Sequence, residues 1–95
     1  MSKVVHCLEE PYDVYIGRVN RYYELPKSKW ANPFSIGRDG NREEVIEKYF
    51  HYLMDQPQLL KDLPELRGKV LGCWCKPLSC HGDLLLILAE AFSEL

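Results

Sequence analysis

The sequence has no apolar run long enough to cross a membrane. Its longest uninterrupted apolar stretch, Leu84 to Ala89, is far shorter than the roughly 20 residues that a transmembrane helix needs. No apolar targeting segment precedes the first charged residue, because Lys3 follows Met1 and Ser2 directly. We therefore expect a cytoplasmic protein with reduced cysteines and no membrane partner.

Long runs of one charge are also missing. Twelve basic and fourteen acidic residues are interleaved, and the net charge is -2. Such a balance produces no broad positive field of the kind that attracts nucleic acid, so nucleic acid is not an expected partner and any anion site must be local. Single-stranded nucleic acid binding through Trp30 and Tyr22 remains an alternative that this charge balance argues against.

The chain lacks a Gly-x-Gly-x-x-Gly sequence, which is the usual fingerprint of nicotinamide and flavin dinucleotide binding. It also lacks internal repeats and low-complexity tracts. Its 95 residues fit one domain, 1–95, with a modest core. Because a second copy would enlarge that core, a homodimer is among the partners that we consider.

The apolar pattern predicts a small α/β domain. Strands are expected over Lys3–Leu8, Tyr12–Arg18 and Lys69–Trp74, and helices from the capping residue Asn41 to Pro57, from Pro57 to Leu63, and from Gly82 to Phe92. Asn41 and Glu44 have the spacing of a capping box. A helical crossover implies parallel strands. We therefore predict a Rossmann-like layer, a short and mainly parallel sheet flanked by helices, with the third strand in its centre.

A long irregular segment, 17–40, interrupts this pattern, and loops of such length are usually functional. Its guanidinium and ammonium groups suit a phosphate, its aromatic rings could stack on a base, and an asparagine before proline favours a turn. The candidate ligand-binding residues in this loop are Arg18, Lys29, Trp30, Asn32 and Arg38. The aromatic part of the loop ends at Phe34. The alternative is that the loop folds its aromatic side chains into the core.

Residues 73–83 carry three of the four cysteines and lie at a strand-to-helix junction. In one interpretation Cys80 is a reactive thiolate, because the start of a helix lowers a thiol pKa, and His81 or Lys76 assists it. In another, a zinc ion is held by Cys73, Cys75, Cys80 and His81, with Cys7 as a substitute ligand. In the third, the cysteines are small buried apolar residues and no cofactor is present.

Since the carboxyl ends of parallel strands meet at one edge of a sheet, we expect the loop and the cysteine run to line one cleft. The hypothesis is that this cleft, which includes Cys75, binds a nucleotide-like or other phosphate-bearing small molecule. If it is catalytic, Cys80 would be the nucleophile of a transfer or hydrolysis, with His81 or Asp83 as acid or base. The alternative is a non-catalytic module that binds protein or nucleic acid and has a structural or zinc-binding cysteine cluster.

Four motifs resemble those of a domain-of-unknown-function family, number 4326, of bacteria and their phages. They are the residues 13–18, Asp-Val-Tyr-Ile-Gly-Arg; 28–34, Ser-Lys-Trp-Ala-Asn-Pro-Phe; 36–46, which include Ile-Gly-Arg-Asp-Gly and Arg-Glu-Glu-Val-Ile; and 72–83, which include Gly-Cys-Trp-Cys and Cys-His-Gly-Asp. The family pattern usually has glycine at Ala31 and a shorter link at Val19 to Pro26. The resemblance implies no particular activity.

Overall fold

The computed structural model describes residues 2–92, which form a three-stranded sheet covered by helices. In chain order the elements are β1 (Lys3–His6), β2 (Val14–Tyr15), α1 (Arg42–Met54), α2 (Pro57–Asp62), a short 3-10 helix (Leu63–Leu66), β3 (Val70–Cys73) and α3 (His81–Phe92). No helix in this part of the chain has both the length and the apolar character of a membrane span.

The third strand is the centre of the sheet. β3 pairs in parallel with β1 on one side and with β2 on the other. Val5 lies opposite Gly72, and Val14 lies opposite Leu71. The predicted α/β class, with its central and parallel third strand, is confirmed.

The second strand is shorter than the predicted span Tyr12–Arg18, because its neighbours use other partners. The backbone N–H of Asp13 still donates a 2.8 Å bond to the carbonyl of Val70, but the N–H of Val70 donates its 2.8 Å bond to the side chain of Asp13 and not to a backbone carbonyl. After Ile16, the carbonyl of Gly17 accepts a bond of 3.1 Å from the backbone N–H of Ser28. The chain therefore leaves the sheet at Gly17 and enters the long loop.

Helix α1 begins as the capping-box spacing predicts. The Asn41 side chain accepts a 2.9 Å bond from the N–H of Glu44, and the Glu44 carboxylate accepts a 2.9 Å bond from the N–H of Asn41. These two bonds satisfy backbone donors that the first helical turn leaves unpaired. One face of the helix then buries Val45, Tyr49 and Leu53.

Helix α3 begins in close contact with the sheet. A Cβ atom on Gly82 would lie 2.6 Å from Cδ1 of Ile16 and 3.1 Å from Cγ2 of Val4, so a larger residue would push the helix away. Further along, Leu85 and Ala89 are fully buried. The glycine therefore fixes the first turn of α3 against the strands and next to the cysteine run.

Candidate functional site

A cleft with a volume of about 380 Å³ opens beside the carboxyl ends of β2 and β3. The long loop, the start of α1 and the β3–α3 junction form its walls. The lining residues are Gly17, Arg18, Asn32, Phe34, Ser35, Ile36, Arg42, Val45, Ile46, Cys73, Trp74, Cys75, Ser79, Cys80 and His81. The loop and the cysteine run thus line one cleft, as predicted. Its volume lies in the range of small-molecule sites, roughly 300 to 1,000 Å³.

The guanidinium group of Arg18 holds the long loop in place. Its Nε and Nη2 donate bonds of 3.1 and 3.0 Å to the carbonyl of Asn32, and Nη2 donates a 2.7 Å bond to the carbonyl of Phe34. An irregular loop leaves such carbonyls without ladder partners, and the planar fork of arginine can bind two of them at once. Arg18 therefore shapes one wall of the cleft and brings a positive charge to it.

Asn32 connects the same loop to α1. Its Oδ1 accepts a 2.9 Å bond from the N–H of Phe34, which is the turn that asparagine before proline favours, and its Nδ2 donates a 3.2 Å bond to the carbonyl of Val45. Both polar ends of the side chain thus have protein partners. Asn32 therefore lines the cleft and fixes the loop wall against α1.

The sulfur atoms of Cys73, Cys75 and Cys80 lie within 4.8 Å of one another at the end of β3. Cys73 and Cys80 are buried and joined in a disulfide, whereas Cys75 is a half-buried free thiol. The Cα atoms of Cys73 and Cys80 are 7.6 Å apart. Disulfides usually span about 4.4 to 6.8 Å between these atoms. The backbone spacing therefore also suits a reduced state in which the sulfurs of Cys73 and Cys80 are not bonded to each other.

Three expectations about these cysteines need correction. Cys73 and Cys80 are joined, so the expectation that all cysteines are reduced is wrong for this pair. In the disulfide state Cys80 has no thiolate, because its sulfur is shared with Cys73, so the nucleophile assignment does not hold for this state. Within residues 2–92, the compact group of possible metal ligands consists of the three sulfurs and does not include Cys7 or His81. The predicted four-residue zinc set is therefore reduced to three residues.

His81 is buried at the first position of α3. Its Nε2 lies 3.0 Å from the carbonyl of Ile16, and because a carbonyl only accepts, Nε2 carries the proton. Its Nδ1 is then an acceptor, 3.6 Å from Sγ of Cys80. Burial lowers the pKa of His81 to about 4, so the ring is neutral at pH 7. This geometry favours a positioning role over the predicted acid or base role.

Asp83 caps the start of α3 outside the lining of the cleft. Its Oδ2 accepts a 3.1 Å bond from the N–H of Cys80, and its Oδ1 forms a 2.7 Å ion pair with Nζ of Lys76. Both carboxylate oxygens therefore have partners that fix the cysteine turn. These two contacts indicate a structural role for Asp83 at the start of α3 and not the predicted catalytic role.

Trp30 does not offer the stacking surface that was predicted for it. Its ring is 1% exposed and belongs to the core, and its carbonyl accepts a 2.8 Å bond from the Tyr49 hydroxyl. A large aromatic ring gains more from burial beneath an irregular loop than from exposure. The alternative interpretation, in which the loop contributes aromatic side chains to the core, is correct for Trp30.

Lys29 and Arg38 lie on the outer side of the loop. Both line a second groove, with a volume of about 600 Å³, that Arg18 and Asn32 also border. Lys29 forms ion pairs with Asp62 and Glu65, and Arg38 pairs with Asp39. These two predicted ligand-binding residues therefore do not reach the cleft that contains the cysteines.

Arg42 is a cleft residue that the sequence prediction missed. It is the first residue of α1, and its Nη1 donates a 3.1 Å bond to the carbonyl of Ser79, so it connects two walls. A positive charge is unfavourable at a helix N-terminus, where the macrodipole is also positive. An arginine directly after a capping asparagine is a signal that could have identified it.

The chain has relatives among viral proteins. It is 45% identical over 92 residues to an uncharacterized protein of Acanthamoeba polyphaga mimivirus, covering 86% of this chain and 70% of that protein. It is 36% identical over 90 residues to an uncharacterized 12.4 kDa protein from the nrdA-td intergenic region of Enterobacteria phage T4, covering 90% of this chain and 74% of the phage protein. No solved structure matches significantly, so the Rossmann-like assignment stays a prediction.

The family model named Domain of unknown function (DUF4326) matches residues 2–91. This range contains all of the loop, cleft and cysteine residues described above. The chain belongs to the DUF4326 family.

Proposed function

We propose that the cleft binds a small phosphate-bearing molecule of nucleotide type. The observation that carries this proposal is that Arg18 and Arg42, from separate elements, line one cavity with mainly apolar walls. Two guanidinium groups suit a phosphate, because each offers several donors in a fixed plane. An apolar wall suits the ring of a base.

Arg42 is the residue best placed to contact such an anion. Within the described part of the chain, its guanidinium makes one hydrogen bond, from Nη1 to Ser79. A guanidinium has five N–H donors, so most of them remain for a ligand. Arg18 differs, because three of its bonds already go to loop carbonyls. We assign Arg42 to direct contact and Arg18 to positioning with added charge.

The apolar part of the ligand would rest on Phe34, Val45 and Ile46. Phe34 is half-buried, and its ring packs edge to face on Tyr52 with 6.3 Å between centroids. This contact holds the ring in one orientation, which lowers the entropy cost of stacking a base on it. Phe34 thus replaces Trp30 as the aromatic residue of the proposed site.

The half-buried thiol of Cys75 is the reactive group that would lie beside a bound ligand. It lines the cleft and is free, whereas Cys80 is joined to Cys73. If the protein transfers or hydrolyses its ligand by thiolate attack, Cys75 is therefore the nucleophile to test first. Binding itself does not require this chemistry, and the binding proposal stands without it.

Calorimetric titration of the full chain with AMP, ADP and uncharged adenosine tests the proposal. We expect the two phosphate-bearing probes to bind more tightly than adenosine. Arg42→Gln should weaken AMP binding about tenfold or more, because a charged hydrogen bond contributes roughly 1.5 to 3 kcal/mol. Arg67→Gln is the matched control, since Arg67 is exposed and pairs with Glu90 away from the cleft. Equal affinity of the two variants for AMP would contradict the proposal.

A further inference from the structure

We propose that the reduced protein binds one soft divalent metal ion of the zinc class through the thiolates of Cys73, Cys75 and Cys80. The fourth coordination position would face the cleft. This inference does not rest on nucleotide binding, because it concerns the sulfur cluster alone. Thiolate ligands select zinc and similar soft ions over magnesium or calcium.

The spacing of the sulfurs suits such an ion. Tetrahedral zinc with bonds of about 2.3 Å holds its thiolates about 3.8 Å apart. The three sulfurs lie within 4.8 Å of one another, so side-chain rotations of modest size would bring them to that distance. The Cα atoms of Cys73 and Cys80, at 7.6 Å, are already spaced widely enough for sulfurs that share an ion.

Backbone donors point at two of the three sulfurs. The N–H of Gly82 donates a 3.3 Å bond to Sγ of Cys80, and the N–H of Cys75 donates a 3.3 Å bond to Sγ of Cys73. Hydrogen bonds of this kind stabilise negative charge on sulfur and orient metal-bound thiolates. The backbone is thus arranged to favour thiolates at both buried positions.

The cluster provides three protein ligands and leaves one position for a small molecule. His81 is not in the set, because the compact group of ligand atoms within 4.8 Å of one another consists of the three sulfurs, although Nδ1 of His81 lies 3.6 Å from Sγ of Cys80. All three cysteines line the cleft, so a water molecule or an anion in the cleft has direct access to the fourth position. Three ligands with one open position are typical of catalytic zinc sites, whereas structural sites are closed by four.

Formation of the site begins with reduction of the Cys73–Cys80 disulfide. A dithiol reductant supplies two electrons and two protons, the S–S bond breaks, and the reductant leaves as its own disulfide. Binding of M²⁺ then displaces one proton from each of three thiols. The site is therefore sensitive to redox conditions, and the ion and the disulfide exclude each other.

Titration of the full chain with Co²⁺, after reduction by a dithiol and its removal without oxygen, tests the inference. We expect one equivalent to bind with a thiolate-to-cobalt charge-transfer band, and zinc to displace it. Labelling of the folded zinc-bound protein should modify one cysteine, Cys7, of the four in the sequence. Absence of the charge-transfer band in the reduced parent chain would overturn the inference without any variant.

Two variants separate this cluster from nonspecific thiol binding. Cys75→Ser should weaken cobalt affinity at least tenfold, whereas Cys7→Ser should bind as the parent does, because Cys7 lies outside the cluster. Circular dichroism confirms that each variant is folded. Equal affinity of the two variants would overturn the inference. Nucleotide binding by a chain that takes up no cobalt would also overturn it and would leave the proposed function intact.

Discussion

His81 Nε2 lies 3.0 Å from the carbonyl oxygen of Ile16, so the first residue of α3 is hydrogen-bonded to the chain just beyond β2. This bond joins the cysteine junction to the base of the long loop. It is buried, and the neutral imidazole that donates it carries its proton on Nε2. Burial of the ring, and not this bond, disfavours the charged form, because a bond to a carbonyl oxygen raises the pKa of a histidine.

Acidification should destabilise the fold through His81. Burial lowers its pKa from 6.5 to about 4, so the unfolded chain binds a proton that the folded chain does not between these values. The free energy of unfolding should fall as the pH decreases from about 6.5 to about 4, by about 3 kcal/mol. Urea unfolding at pH 7, 5.5 and 4.5 measures this dependence.

The variant His81→Gln isolates that contribution, because glutamine keeps an N–H donor but does not titrate. We expect a weaker pH dependence in His81→Gln than in His51→Gln, whose substituted residue is exposed on α1. Aspartates such as Asp39, whose pKa is lowered by the hydrogen bond from Arg38, also make stability depend on pH, but they contribute equally in both variants. Identical pH profiles for the two variants would show that His81 is not the sensitive group.

Substitution of Arg18 by lysine should loosen the long loop. Lysine keeps the charge but cannot bind the carbonyls of Asn32 and Phe34 with one planar fork. We expect a loss of about 1 to 3 kcal/mol in unfolding free energy and faster proteolysis within 17–40. Arg21→Lys is the control, because Arg21 is exposed at the loop tip. If both variants are equally stable, Arg18 does not hold the loop.

Gly82→Ala should destabilise the protein by overpacking, about 1 to 3 kcal/mol, because the new Cβ would lie 2.6 Å from Cδ1 of Ile16. Ile16→Val removes that Cδ1 atom. The cost of Gly82→Ala should therefore be smaller in the Ile16→Val background, and a double-mutant cycle of urea unfolding measures the difference. Strictly additive effects would mean that α3 does not meet the sheet at this contact.

Much of the fold follows from local patterns in the sequence. The capping box of Asn41 and Glu44 and the helical spacing after it predict α1, and the crossover predicts parallel pairing of β3. The length of β2 could not be predicted, because Asp13 and Gly17 take partners far along the chain. Such tertiary hydrogen bonds leave no periodic signal in the sequence.

The site was predicted in outline and missed in detail for a similar reason. Strand-end convergence places Arg18 and Cys80 on one cleft. Burial of Trp30 and the pairing of Lys29 with Glu65 depend on how the loop folds onto α1 and the 3-10 helix, which composition does not reveal. The disulfide between Cys73 and Cys80 likewise depends on a backbone turn that residue spacing alone does not fix.

The location of AMP on the folded chain tests the central claim most directly. In ¹H–¹⁵N spectra recorded during an AMP titration, we predict shifts in the amide signals of Gly17, Phe34, Cys75 and Ser79. All four signals should follow the same binding curve and saturate at the same AMP concentration. Signals of α2, which lies outside the cleft, should stay in place. Shifts confined to the outer groove around Lys27 and Arg38, or no shifts at all, would contradict a binding site between the Arg18 loop and the cysteine junction.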